Sequence, residues 1–267
     1  MNCQKPVKHN EDIKYWIDRA KKDPKNLVSK LWWADAFRNS IIAHDIKKVF
    51  REKEVAILDV PCGLAPICEF LEAYDVKSAY VGIDKNDSSD IDADSRLRAY
   101  GEYHYPRGVF TFLKEDWNES VFDNDPAFDV VFCLDGPEHL VNDLAGLEKL
   151  FERFSDVMRS DGRLYVSTPN AKVDGTLHYP YCHDIEFSIN EIVTILSKRF
   201  DIRTIAGYRR APESKKGQKE VKQFYDIGLG STGLLAKTEI PYHLAAPFIA
   251  WQHPYIADSV LYVAIRK

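Results

Sequence analysis

Hydrophobic residues fall at helical spacing through the first fifty positions. Ile13, Trp16, Ile17 and Ala20 form one stripe, and after the Asp23-Pro24 break Leu27, Leu31, Ala34, Ile41, Ile42, Ile46 and Val49 form a longer one. From residue 55 the pattern changes to short β-branched runs, which predict strands at 55–60, 79–84, 108–113, 128–134, 162–168, 201–206 and 259–265. Between the fourth and fifth of these, Leu140, Leu144, Leu147, Phe151, Phe154 and Met158 step by four and three, the spacing of an amphipathic helix, with Asp161-Gly162 as its stop. Strands alternating with helices predict an α/β protein with a mostly parallel sheet covered on both faces and ligands at the carboxyl ends of the strands. Residues 207–258 break the rhythm and read as an insertion before the last strand, of a length typical of lids and substrate loops. The chain is thereby expected to divide into an N-terminal helical cap over 1–52, a ligand-binding core over 53–206 and a substrate-side segment over 207–267.

Composition narrows this picture. With 267 residues, the chain has room for one large domain with additions or two small ones. Hydrophobic residues at 45% and charged residues at 29% exclude wholesale disorder, collagen and coiled coil. A net charge of −5 argues against a surface that grips nucleic acid everywhere, while leaving room for a local basic patch. No apolar run reaches the length of a membrane span, and Met1 to Ala20 lacks the apolar stretch of a signal peptide, so a cytoplasmic protein is expected. Cys3, Cys62, Cys68, Cys133 and Cys182 are odd in number and contain no C-x-x-C pair, which predicts reduced thiols.

The most informative segment is Val55-Ala-Ile-Leu-Asp-Val-Pro-Cys-Gly-Leu-Ala-Pro66, a buried strand ending in a tight turn that leads into a helix. Glycine at such a turn lets a ligand approach the backbone. The dinucleotide fingerprint G-x-G-x-x-G is absent, since only Gly63 remains, and this disfavours a pyrophosphate cradle and a nicotinamide oxidoreductase. The next strand ends in Asp84, where a carboxylate can accept from both hydroxyls of a ribose. Asp116 follows the third strand, where it can receive an adenine amino group while Trp117 covers the ring. Each acid taken singly also fits a solvated loop or a helix cap, but three at successive strand ends point together to a nucleoside.

Here the sequence resembles the class I S-adenosylmethionine-dependent methyltransferases over about residues 55–206. The resemblance is carried by Leu58-Asp59-Val60-Pro61-Cys62-Gly63, Gly82-Ile83-Asp84, Phe128-Asp-Val-Val-Phe-Cys-Leu134, Glu138-His139 and Gly162-Arg-Leu-Tyr-Val-Ser-Thr-Pro-Asn170. The last two motifs are similar to those of quinone-biosynthesis O-methyltransferases and small-RNA 3′-terminal 2′-O-methyltransferases. The resemblance implies a Rossmann-like seven-stranded methyltransferase sheet whose last strand is antiparallel. It also implies that Asp59, Pro61, Cys62 and Gly63 hold the methionine part of S-adenosylmethionine, Asp84 its ribose, and Asp116 with Trp117 its adenine, with Leu134 on the same side. Pro61 and Ala65 depart from the commonest glycine-rich turn of the family.

On the substrate side the protein must align an attacking atom with the activated methyl group and remove its proton. Asp135, Glu138 and His139 stand at i, i+3 and i+4 after the fourth strand, and His183 follows the fifth. Two carboxylates and an imidazole, with His183, suit a hard ion such as Mg²⁺ or Mn²⁺, which could lower the pKa of a substrate hydroxyl. The resembling enzymes carry Glu-x-x-Glu-His at this place, and Asp135 stands where they have the first Glu. Three readings stay open: a metal site, His139 as a metal-free base, and a structural D-x-x-E capping box of Asp135 with Glu138. His183 is either a functional or a surface loop residue, and Asp184 and Glu186 read as solvated.

Two further signals fail or stay weak. Asp90-Ile-Asp92-Ala-Asp94 imitates half a calcium loop, but its twelfth position is Gly101 where a bidentate Glu is required. The basic run Arg209, Arg210, Lys215, Lys216, Lys219 and Lys222, against Glu213 and Glu220, reads as a solvated face that could also neutralise phosphates. The expected function is methyl transfer to a hydroxyl of a small-molecule acceptor. The alternatives are RNA 2′-O-methylation and a non-catalytic S-adenosylmethionine-binding protein.

Overall fold

The computed structural model describes residues 33–63, 65–85, 101–105, 107–119, 127–171, 176–177, 180, 183–209, 247–248 and 250–267. The stripe from Ile13 to Ala20, Leu27 and Leu31, the Asp90 to Asp94 loop, Arg210 to Lys222, Gly228, Gly230, Gly233, Cys3 and Cys182 lie outside the described residues. Helix α1 (Trp33–Phe50) leads into strand β1 (Val55–Asp59), helix α2 (Ile67–Ala73) and strands β2 (Ser78–Asp84), β3 (Gly101–Tyr105), β4 (Gly108–Lys114) and β5 (Phe128–Leu134). Helices α3 (Pro137–Leu140) and α4 (Leu144–Val157), strand β6 (Met158–Pro169), helix α5 (Ile189–Leu196) and strands β7 (Phe200–Arg209) and β8 (Ser259–Arg266) follow.

The strands form one sheet in the order β3-β4-β2-β1-β5-β6-β8-β7. Neighbouring pairs from β4 through β6 run parallel, and β8 lies antiparallel between β6 and β7. All seven expected strands are present, the last one antiparallel as the resemblance implies. An eighth, β3, pairs antiparallel with β4 in a register running from Gly101–Phe112 to Tyr105–Gly108. It was not expected, because an edge strand closed by a short turn joins through main-chain bonds and needs no long apolar run to announce it.

Period-two alternation along each strand sends neighbours to opposite faces. In β1, Leu58 packs under α4 and α5 while Ile57 packs under α1 and α2; in β6, Leu164 and Val166 take the first face and Tyr165 the second. Phe151 and Phe154 of α4 are fully buried, which contributes roughly 1.5–3 kcal/mol each. α1 presents Ala34, Ile42, Ala43 and Ile46 to the other face.

Two boundaries differ from the sequence expectation. The helix expected from Leu140 through Met158 is broken: Val141 is extended, and Asp143 restarts the chain as N-cap by accepting from Gly146 N–H at 2.6 Å. Leu144 is consequently exposed. Asp161-Gly162 does not stop that helix but lies inside β6, where Asp161 takes φ +61° and the pairing skips from Phe128–Met158 to Val130–Arg163. A β-bulge and a helix C-cap demand the same backbone, so the dipeptide alone does not tell them apart. No helix among the described residues is long and apolar enough to cross a membrane.

Gly207 in β7 marks the tightest approach of the sheet to the segment before β8. A methyl group there would lie 2.4 Å from both the Ala250 carbonyl oxygen and Ala257 Cβ. Gly207→Ala is expected to destabilise the protein by about 1–3 kcal/mol, seen as a lower urea midpoint at unchanged slope. An unchanged midpoint would mean that residues 250–257 yield freely.

Candidate functional site

The carboxyl ends of β1, β2, β4 and β5 meet at one end of the sheet. After β1 the chain turns through a cis Val60-Pro61 bond and Gly63 at φ +51°, a left-handed conformation that glycine adopts without cost. Among the described residues, nothing other than its chain neighbours would lie within 4 Å of a Cβ on Gly63. Cys62 N–H donates to the Ile83 carbonyl at 3.0 Å, and Gly63 N–H donates to Asp84 Oδ2 at 2.9 Å, stitching the turn to the end of β2. Asp84 therefore has one oxygen committed to the turn. Gly136, after β5, closes the opposite wall, where an added Cβ would lie 2.7 Å from Pro61 Cδ and from Cys133 Sγ.

Asp59 lies beneath this turn rather than on it. It is 2% exposed and accepts from Tyr80 Oη at 2.6 Å, while its Oδ1 has no hydrogen-bond partner among the described residues. Burial pushes its carboxyl up to about 7 against the lowering influence of Tyr80 and Arg38. Burial likewise pushes the Cys62 thiol well above its ordinary range, with Asp59 and Asp84 adding to the effect, which disfavours the nucleophilic thiolate.

A small crevice opens at these strand ends, walled by Pro61, Asp84, Asp116, Trp117, His139 and Leu140. Five of the expected site residues thus line one crevice. Asp116 Oδ1 accepts from Asn118 N–H at 2.9 Å in a local turn. Trp117 differs from the expectation of an indole face laid over a base. It is 2% exposed, with Phe154 at 5.4 Å and the Arg153 guanidinium 4.0 Å over its ring, so it is a fixed wall. Leu134 is half-buried at the end of β5, in register with Ser167.

Asp135 does not join the histidines and is not a cap. It takes φ +49°, and the N-cap position of α3 is occupied by Gly136, with no side-chain cap. Its carboxylate accepts from Arg38 Nη1 at 2.7 Å and from Tyr208 Oη, and Arg209 Nη2 lies 3.6 Å away. Its N–H donates to Ser167 Oγ at 2.8 Å. Burial alone would raise this carboxyl, but Arg38 and Arg209 outweigh it and hold the group well below the usual range. Arg209 also reaches Asp35 Oδ1 at 2.5 Å.

Glu138, His139 and His183 do converge, each offering a ligand atom within 4.8 Å of the others. The two imidazoles meet edge to face with centroids 4.9 Å apart. His183 is buried, with Nε2 4.0 Å from Glu138 Oε1 and Nδ1 3.1 Å from Glu186 Oε1. Glu186, expected to be solvated, is instead buried as the partner that orients His183, while Asp184 is exposed as expected. Glu138 is buried, and burial, then Asp135 and Glu186, drive its carboxyl well above the usual range. Its Oε2 has no hydrogen-bond partner among the described residues.

Arg38, Ser167, Tyr208 and Glu186 are members of the site that the sequence reading missed. One signal was available for Arg38, a lone base at four-residue spacing between Ala34 and Ile42 on the buried stripe of α1. For Glu186 the signal was its i+3 spacing from His183. Ser167 and Tyr208 carried none.

No protein-family model matches the sequence, and no curated protein matches it. Solved structures do. The chain is similar to the N-methyltransferase NodS from Bradyrhizobium japonicum WM9 in complex with S-adenosyl-L-homocysteine, at 10% identity and a TM-score of 0.57 over 97% of this chain and 99% of that one. It is also similar to a putative S-adenosylmethionine-dependent methyltransferase from Listeria monocytogenes, at 13% identity and a TM-score of 0.51 over 86% of this chain and 98% of that one. A third is the [4+2]-cyclase SpnF, at 16% identity and a TM-score of 0.50 over 86% of this chain and 80% of that one. The chain has the Rossmann-like fold of class I S-adenosylmethionine-dependent methyltransferases.

Asp59 makes stability depend on pH. The folded protein holds its proton up to about pH 7, whereas the carboxyl ordinarily releases it near 3.8, so the folded state binds more protons between the two. This contribution is full below that ordinary value and is lost as pH rises through the window. Asp59→Asn keeps an oxygen for Tyr80 and removes the ionisation. The melting temperature of the wild type minus that of the variant should fall steadily between about pH 4 and pH 7 and then level off. A difference constant across that window would contradict the assignment.

Proposed function

We propose that the protein is an S-adenosylmethionine-dependent methyltransferase that methylates a hydroxyl of a small-molecule acceptor. The observation that carries this reading is the single crevice holding Pro61, Asp84, Asp116 and His139 at the carboxyl ends of the strands. Two features support the cofactor reading: among the described residues no side chain crowds Gly63, and the carboxylates of Asp84 and Asp116, acceptors suited to ribose hydroxyls and an adenine amino group, line the same crevice. S-Adenosylmethionine supplies a methyl group already activated on a sulfonium, so the chain has to bind, align and take a proton.

Asp84 is assigned to the ribose hydroxyls, with Gly63 N–H keeping its carboxylate oriented. Asp116 is assigned to the adenine amino group, and the wall formed by Trp117 excludes water on that side. His139 is assigned the acceptor proton, because it is the histidine that borders the crevice. His183, held through Nδ1 by Glu186, fixes the ring of His139 edge to face.

A second reading is favoured by Glu138. A buried carboxyl whose Oε2 finds no partner among the described residues, beside two imidazoles, suits a divalent cation. Glu138, His139 and His183 would hold it, and it would lower the pKa of the acceptor hydroxyl. With Asp135 bound by Arg38, the set is one carboxylate and two imidazoles, which shifts preference from Mg²⁺ toward Mn²⁺ and its transition-metal neighbours.

Calorimetric titration with S-adenosylhomocysteine tests the cofactor assignment. Asp84→Ala should weaken binding about 10- to 100-fold, the loss of charge-assisted hydrogen bonds. His139→Ala should leave the affinity unchanged and lower methyl transfer across a panel of hydroxyl acceptors. Stabilisation by NAD without stabilisation by S-adenosylhomocysteine would overturn the reading. Salt-sensitive binding of RNA together with inert small acceptors would replace the acceptor class with RNA.

A further inference from the structure

One buried, multiply bonded charge lies in neither the crevice nor the histidine cluster, but in α1. Arg38 is 3% exposed. From Nη1 it reaches Asp135 Oδ2 at 2.7 Å, Ser167 Oγ at 2.9 Å and Tyr208 Oη at 3.1 Å, and its Cζ lies 4.9 Å from the Tyr208 ring centroid. Its partners belong to the turn after β5, to β6 and to β7, so one guanidinium from the N-terminal helix ties three strand ends together.

The partner that matters is Asp135, because of where its backbone stands. Its φ of +49° is a left-handed conformation that a side-chain-bearing residue adopts at a cost, so it depends on the contacts around it. Two residues later the turn becomes α3, with His139 N–H donating to the Gly136 carbonyl at 2.9 Å. The direction in which Glu138 and His139 project is therefore set at Asp135. Among the described residues, Asp135 is held there by Arg38, Ser167 and Tyr208, with Arg209 at longer range.

We propose that Arg38 is a positioning residue: by clamping Asp135 in its left-handed turn it aims Glu138 and His139 at His183 and the crevice, which makes α1 an integral part of the site. This rests on the reading that the Glu138, His139 and His183 cluster is the reacting side. It holds whether His139 acts as a base or as a ligand.

The test uses Arg38→Met and the double variant Arg38→Met/Asp135→Gly in the full chain. The first removes the clamp and leaves a buried carboxylate facing an apolar side chain. The second removes both charges and supplies a residue that adopts positive φ without help. The readout is the set of His139 and His183 ring proton signals in carbon-correlated NMR at one fixed pH, assigned with His139→Gln and His183→Gln. In the wild type the edge-to-face pair is expected to displace these signals from free-histidine positions. Arg38→Met is expected to lose that displacement and the double variant to regain it, with S-adenosylhomocysteine affinity within about twofold of wild type in both. A folded Arg38→Met with wild-type ring signals overturns the proposal. So does a double variant that fails to fold or keeps collapsed signals, because the network would then serve the core and not the turn. Should Arg38→Met fail to fold, the double variant alone decides. The ring signals are read without cofactor or acceptor, so a failed methyltransferase reading shows in the titration and leaves this measurement intact.

Discussion

A guanidinium stays inside a protein only where acceptors replace its lost water, and Arg38 finds them on three separate strand ends. Burial of such a group is expensive, and the return lies in specificity more than in net stability. Asp135, Ser167 and Tyr208 all meet its Nη1, which restricts how α1 can sit against the sheet. That arrangement fixes the turn leading from β5 to α3. The apolar contacts of Ile42 and Ile46 on the same helix would tolerate small slides, whereas the hydrogen-bonded charge does not.

The acids at the strand ends show how one residue type serves different ends. Asp59 is buried against Tyr80 and holds its proton into the neutral range, so it acts as part of the core under the turn. Asp84 spends one oxygen on Gly63 N–H and stands at the crevice wall with its orientation set. Asp116 is turned by Asn118 N–H into the same crevice. Asp135 is kept ionised by two guanidinium groups and shapes backbone. Glu138 is the remaining case, a buried acid that its surroundings make hard to ionise, beside two imidazoles. Such separation of environments is what divides labour among identical carboxyl groups.

The sheet and the site constrain each other through small residues. Gly63 supplies the positive φ that opens the first turn, and Gly136 lets Pro61 and Cys133 close to contact distance. Cys62 beside Gly63 is buried, and burial, with Asp59 and Asp84, pushes its thiol well above the ordinary range. The fold by itself leaves the chemistry open, since this architecture hosts many reactions; the named side chains carry the functional reading.

The sequence by itself determined the layered sheet, its seven main strands and the antiparallel last one, because period-two runs and amphipathic steps are local signals that burial reads directly. It also put Asp84, Asp116 and His139 after strand ends, and the ends of parallel strands meet at the same edge. Only the tertiary structure decided the partnerships. Asp135 has the spacing of a ligand or a cap, yet Arg38, 97 positions earlier, claims it. Glu186 looks solvated until His183 turns toward it, and Trp117 looks like a stacking platform until Arg153 and Phe154 enclose it. Spacing tells which side chains share a local face. Which charge reaches which across long sequence separations depends on how the layers close, and that information exists only once the chain has packed.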